Sequence, residues 1–196
     1  MNSFVAVIAI IIAYFCGTLP VAILIAKSKG IDITTIGSGN PGASNVARAL
    51  GTKYGVLVFV GDALKGALPV LAVLSHRPIA YVCATAAVFG HVFPVTRKFK
   101  GGKGVATGAG SLLPLHPFLL IGSALVWLLV TKLTKKASIA SIVIVPMLIT
   151  AFVMSGTPTW EVLSLVVIGA LVEIRHASNI KRLLSGTEPP VTGSTV

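Results

Sequence analysis

An all-α, polytopic transmembrane bundle of about seven helices is predicted, and three observations predict it. The 196-residue chain is 55% apolar and only 11% charged, a balance typical of membrane proteins rather than soluble domains. Its apolar residues come in runs long enough to cross a bilayer. Its cationic residues gather in the loops that fall on one side of those runs.

In order, the runs are residues 4–26, 54–74, 79–96, 105–115, 118–131, 138–155 and 158–174. The first lacks a basic leader and is longer than a signal-peptide core, so an uncleaved first span is expected. The fourth and fifth are short, because Leu113-Pro-Leu-His-Pro117 ends one helix and turns the chain. They form either two short spans or a re-entrant hairpin, with the same sidedness.

Charge placement supports counting that break as a turn. One side then collects Lys27, Lys29, Arg48, Lys53, Arg97, Lys98, Lys100, Lys103, Lys132, Lys135, Lys136, Arg175, Lys181 and Arg182, which is 14 of the 16 cations. Arg77 lies opposite, and Lys65 is inside a span. The N-terminus is therefore expected outside and the C-terminus in the cytoplasm. Residues 1–184 read as a single transmembrane catalytic domain and residues 185–196 as a cytoplasmic C-terminal tail, whose final "TEPPVTGSTV" (187–196) is expected to be disordered.

The net charge of +11 does not point to nucleic acid, because no zinc-finger, RNP or aromatic-interleaved basic pattern accompanies it. Anionic headgroups or phosphorylated substrates fit better. Cys16 and Cys83 sit in apolar runs and imply neither a disulfide framework nor a metal site. Asp62 and Lys65, at i and i+3 in the second span, are expected to neutralise each other or to line a polar pocket. His91 and His116 read as structural residues.

Three polar clusters share the cytoplasmic layer in this topology. In "GSGNPGASNVAR" (37–48), Gly39, Asn40, Gly42 and Asn45 are phosphate-binding candidates beside Ser38 and Arg48. Glycines let backbone N–H groups approach an anion, and Ser44 or Asn45 is expected to cap a short helix. Gly37, Gly39 and Gly42 match GxGxxG, but the loop follows a membrane helix rather than a strand, which removes the dinucleotide reading. In "KFKGGKGVATGAG" (98–110), Lys103 stands among Gly101, Gly102 and Gly104 without the Walker spacing. Gly104 and Gly108 also suit a small-residue packing face. In "RHASNIKRLLSGTE" (175–188), His176 and Asn179 fall on one helix face, followed by Glu188.

Common catalytic signatures are absent. The chain has no GxSxG, HExxH or CxxC, no His followed five positions later by Asp, and no paired carboxylates among its five acids. What remains is a cationic, glycine-rich surface suited to holding anions near lipid.

The three clusters, with "GHVFPV" ahead of the second, resemble the motifs of the bacterial integral-membrane acyl-phosphate:glycerol-3-phosphate acyltransferase family, in order and over nearly the whole chain. The resemblance implies transfer of an acyl group from acyl phosphate to the sn-1 hydroxyl of glycerol 3-phosphate, giving lysophosphatidic acid and inorganic phosphate. It implies no cofactor, no metal and no nucleic acid, and a monomer in the bacterial inner membrane. Ser38 and Arg48 would be the essential pair of the first motif. Lys103 with Gly101, Gly102 and Gly104 would hold acyl phosphate, His176 and Asn179 would bind and orient glycerol 3-phosphate, and Glu188 would anchor the last motif. Pro41 and Ser178 depart from the family's usual residues and receive no role. A small phosphate or organophosphate transporter is the alternative, carried by Asp62 and Lys65. An anionic-lipid-binding subunit would explain the charge but not the glycine and asparagine pattern.

Overall fold

The computed structural model describes residues 1–191, which are helical throughout apart from their connections. They divide into two units, Met1–Leu115 and His116–Val191.

The first unit contains α1 (Ser3–Thr18), α2 (Val21–Lys27), α3 (Ala43–Leu50), α4 (Thr52–Ala72), α5 (Arg77–Val92), a 3-10 turn at Val95–Arg97, and α6 (Val105–Leu112). The expected single run 4–26 is two helices, because Pro20 supplies no N–H and the chain bends at Leu19-Pro20. The carbonyl of Leu19 exposed by that bend accepts from Lys65 Nζ at 2.8 Å. Helices meet closely where side chains vanish. A methyl group on Gly17 or Gly90 would collide with the α5 or α1 backbone, and one on Gly66 or Gly110 with the α6 or α4 backbone. In lipid, where apolar burial drives little association, such backbone approach is what packing energy requires. The closest α4–α6 contacts therefore run through Gly66 and Gly110.

The second unit contains α7 (Pro117–Thr134), α8 (Ala137–Met154), α9 (Thr159–Arg175) and α10 (Ala177–Leu184). Helix α8 packs against both α7 and α9, and Trp127 Nε1 donates to Ser141 Oγ at 3.0 Å across the first of those contacts. His116 Nε2 lies 3.3 Å from Glu161 Oε2, and its ring meets the edge of Phe152. Large apolar side chains such as Phe4, Leu125 and Met154 point outward, the pattern of a surface solvated by lipid rather than water.

Five helical stretches are long and apolar enough to cross a membrane, or six if the bent pair Thr159–Arg175 and Ala177–Leu184 counts as one span. Two expectations change. The fourth run contributes only the eight residues of α6, about 12 Å at 1.5 Å per residue, short of a hydrocarbon core of about 30 Å. The fifth run is not short: α7 has 18 residues, because Pro117 starts that helix at its first position, where no N–H is needed. The tail also departs from expectation. Glu188 is buried, and the Val191 N–H donates to Lys135 O at 2.8 Å. Residues 185–191 are thus tied down, and 192–196 lie outside the described residues.

Candidate functional site

The first cluster is a loop stapled from within. Asn45, 2% exposed, donates from Nδ2 to the carbonyls of Ile33 (3.2 Å) and Ile36 (2.9 Å) and accepts the Ser38 N–H on Oδ1 at 3.1 Å. Gly37 adopts φ +58°, and a Cβ there would sit 2.6 Å from that same Oδ1. The helix cap differs from expectation: Gly42 is the N-cap of α3, and no side chain caps it. Asn45 is spent on the loop instead, so its place among the phosphate-binding candidates gives way to a supporting one. Ser38, Gly39, Asn40 and Gly42 remain half-buried around the bend, with Ser38 Oγ accepting from the Asn40 N–H at 3.4 Å. Arg48 lies in the last turn of α3 and is also half-buried.

The second cluster begins where α5 ends. The N–H groups of Arg97 and Phe99 both donate to Pro94 O at 3.0 Å. Lys98 and Phe99 take left-handed backbone angles, which non-glycine residues rarely adopt and which those hydrogen bonds help hold. Tyr14 of α1 clamps this turn, donating to Phe93 O at 2.8 Å and accepting from the Val95 N–H at 3.1 Å. Gly101 and Gly102 are buried against the end of α5. A methyl on Gly101 would collide with His91 O and Val92 O, and one on Gly102 with the His91 ring. The Gly102 N–H donates to His91 O at 3.1 Å. These glycines thus serve close backbone packing first. Lys103 follows, half-buried, and Gly104 (φ +88°) turns the chain into α6 as its N-cap.

Sequence reasoning missed much of what surrounds these loops. A cleft in the first unit is lined by Pro41 of the first loop, Gly102 of the second, and Asp62, Lys65, His91 and Arg97. The two glycine-rich clusters therefore border one cationic concavity. Asp62 Oδ1 receives Lys65 Nζ at 2.7 Å, and His91 Nδ1 lies 3.7 Å from the same oxygen. The i, i+3 spacing of Asp62 and Lys65 was legible, whereas the approach of His91 and the clamp by Tyr14 had no local signal.

The third cluster belongs to the second unit. His176 is the junction of α9 and α10, not a residue within a helix face. Its Nδ1–H donates to Val172 O at 2.8 Å, which in the neutral ring makes Nε2 the acceptor nitrogen. Asn179 Nδ2 donates to Glu188 Oε1, and Arg182 Nε to Glu188 Oε2, both at 2.7 Å. Burial alone would raise the Glu188 carboxyl, but the Ser138 hydroxyl and the donors of Asn179 and Arg182 outweigh it and hold the group below the ordinary glutamate range. A carboxyl depressed on folding contributes stability that is present above its unfolded value and lost as pH falls through its folded one. Acidification below about pH 4 should therefore loosen α10. Hydrogen exchange over residues 177–184 should show this acid limb in the native protein but not in Glu188→Gln; an identical limb in both would refute it.

The family described as glycerol-3-phosphate acyltransferase matches residues 7–186. The chain is 44% identical to the glycerol-3-phosphate acyltransferase of Aquifex aeolicus, over 93% of this chain and 97% of that one. It is 43% identical to the Bacillus subtilis protein of the same name, over 93% and 95%. Among solved structures it resembles PlsY, an integral membrane glycerol 3-phosphate acyltransferase. In the glycerol 3-phosphate form the TM-score is 0.92 at 41% identity, covering 96% of each chain. In the lysophosphatidic acid form it is 0.88, covering 95% of each.

Proposed function

The chain belongs to the glycerol-3-phosphate acyltransferase family, and from that premise we propose that it makes lysophosphatidic acid by acylating the sn-1 hydroxyl of glycerol 3-phosphate with acyl phosphate. The reading places it as a monomer in a bacterial inner membrane, N-terminus outside, with the reaction at the cytoplasmic face. The observation that carries it is the cleft that both glycine-rich loops border, with Lys65 and Arg97 in its lining, set in a chain similar to structures holding glycerol 3-phosphate and lysophosphatidic acid.

The chemistry follows from the charges. Both substrates are anions, so bringing them together needs cations and N–H donors arranged beforehand. Lys103 with Gly101, Gly102 and Gly104 holds the acyl phosphate. Ser38 and Arg48, with Gly39, Asn40 and Gly42, orient phosphate groups at the first loop. His176 and Asn179 take glycerol 3-phosphate, and Glu188 fixes Asn179. The sn-1 oxygen attacks the acyl carbonyl carbon, a new C–O ester bond forms, and the C–O bond to phosphate breaks. The hydroxyl proton passes to a phosphate oxygen, and the leaving group departs as inorganic phosphate. An activated donor of this kind needs neither an acyl-enzyme nor a strong protein base.

Phosphate release from palmitoyl phosphate by the purified protein tests the reading. Release should require glycerol 3-phosphate and fall by about a hundredfold or more in Ser38→Ala and Arg48→Ala, the scale of losing one preorganised transition-state donor. Folded protein that releases none would sink it. Transport of an organophosphate rests on the buried Asp62–Lys65 pair, but Lys65 is bound to Asp62 and to Leu19 O, which accounts for both charges without a cargo. Counterflow in proteoliposomes should be absent.

A further inference from the structure

We infer that Asp62, Lys65 and His91 form a positioning chain that clamps the Gly101–Lys103 loop in the shape acyl transfer requires. The inference rests on the role proposed above for that loop.

A charge in the middle of an apolar helix is expensive, and one opposite charge suffices to neutralise it. Lys65 already does so at 2.7 Å, and a second of its N–H groups donates to Leu19 O at 2.8 Å. Charge balance leaves no reason for a third ionisable group at the same oxygen, yet His91 Nδ1 stands 3.7 Å from it. The far side of that ring is also committed: Nε2 occupies the space that a Cβ on Gly102 would need. The His91 main chain grips the same loop, since its carbonyl accepts the Gly102 N–H at 3.1 Å and abuts Gly101.

The contacts therefore run in sequence from the α1–α2 bend through Lys65, Asp62 and the His91 imidazole to Gly102, next to Lys103. The side chains of Lys65, Asp62 and His91 are all buried. Asp62 is fixed by Lys65, and the His91 ring is wedged between Asp62 and Gly102, so the buried pair holds the ring, and the ring with its carbonyl sets the loop. None of the three side chains needs to touch the reacting atoms.

Two readouts on the full-length protein test this. Asp62→Asn/Lys65→Met removes both charges together, so neither is left buried alone. His91→Ala and His91→Gln form a second pair, the glutamine amide reaching toward the Nε2 position. In the double variant, hydrogen exchange over residues 99–105 should speed up while α4 and α5 stay protected. Its kcat for acyl transfer should fall by about 10- to 100-fold, the usual effect of losing an outer-shell partner, and His91→Gln should recover part of what His91→Ala loses. Unchanged exchange over 99–105 in either folded variant set would overturn the clamp. Faster exchange with kcat within about threefold of wild type would overturn its role in positioning for catalysis. Wild-type protein inert toward palmitoyl phosphate would instead overturn the acyl-transfer reading, an outcome the exchange data do not depend on.

Discussion

Gly101→Ala should reduce acyl transfer from palmitoyl phosphate by about a hundredfold while leaving the helices of the first unit assembled. The reason is space, since the new methyl would run into the main-chain oxygens of His91 and Val92 and approach Pro94 Cδ to 2.7 Å. Non-bonded carbons settle at about 3.5–4.0 Å, and helix-end carbonyls cannot swing aside as a flexible side chain would. The loop itself must lift by roughly an ångström, carrying Lys103 with it, and a misplacement of about 1 Å can cost about 10²-fold in rate. Gly102→Ala meets the His91 ring rather than main chain; a side-chain ring can yield further than a helix-end carbonyl, so this variant should cost less, about tenfold, the lower end of the loss expected from disturbing that ring. Gly122→Ala meets nothing within 4 Å and should behave as wild type. Kinetics of the three purified variants decide the matter. Equal losses in Gly101→Ala and Gly102→Ala, or none in the first, would contradict this account of the loop.

Asn45→Asp, nearly the same shape, should be among the most damaging changes in the first cluster. It keeps the acceptor for the Ser38 N–H but lacks both N–H groups that serve Ile33 O and Ile36 O. Leaving a buried acceptor unpaired costs about 1–3 kcal/mol, and the aspartate sets a buried charge beside two carbonyl oxygens. A negative charge in the first turn of α3 gains only about 0.3–1 kcal/mol from the helix dipole, so the loss wins by roughly 2 kcal/mol or more. Asn45→Ala lacks the charge and should be milder. Thermal midpoints in detergent should rank wild type above Ala above Asp, with phosphate release following the same order. An Asp variant as stable and active as wild type would show that the amide carries little.

The apolar runs place most helices within a few residues. A helix satisfies its backbone locally, and lipid demands that every N–H and C=O be satisfied that way. The departures also have local causes. Pro20 splits the first run at a bend whose carbonyl another helix must satisfy. Pro117 begins α7 instead of merely interrupting a span, and Gly104 sets the start of α6, which stops after two turns. Each of these residues was visible, but which neighbour would take up the freed backbone groups was not.

The same division runs through the candidate residues. Ser38, Arg48, the Gly101–Gly104 run, His176, Asn179 and Glu188 are legible as candidates because chemistry-bearing residues cluster along the chain. So is the Asp62–Lys65 pair, since i and i+3 share a helix face. Asn45 could be noticed but not assigned: whether its amide caps α3 or staples residues 33–38 depends on the path of a loop whose partners are 7 to 12 residues away. Membrane character, helix positions and a cationic, glycine-rich character suited to anions are written in the sequence, because they depend on composition, run length and local charge. The tertiary structure alone decided that Tyr14 would clamp the turn after α5 and that His91 would stand between Asp62 and Gly102. Those meetings join residues far apart in the chain, and they depend on how closely glycine-faced helices can pack.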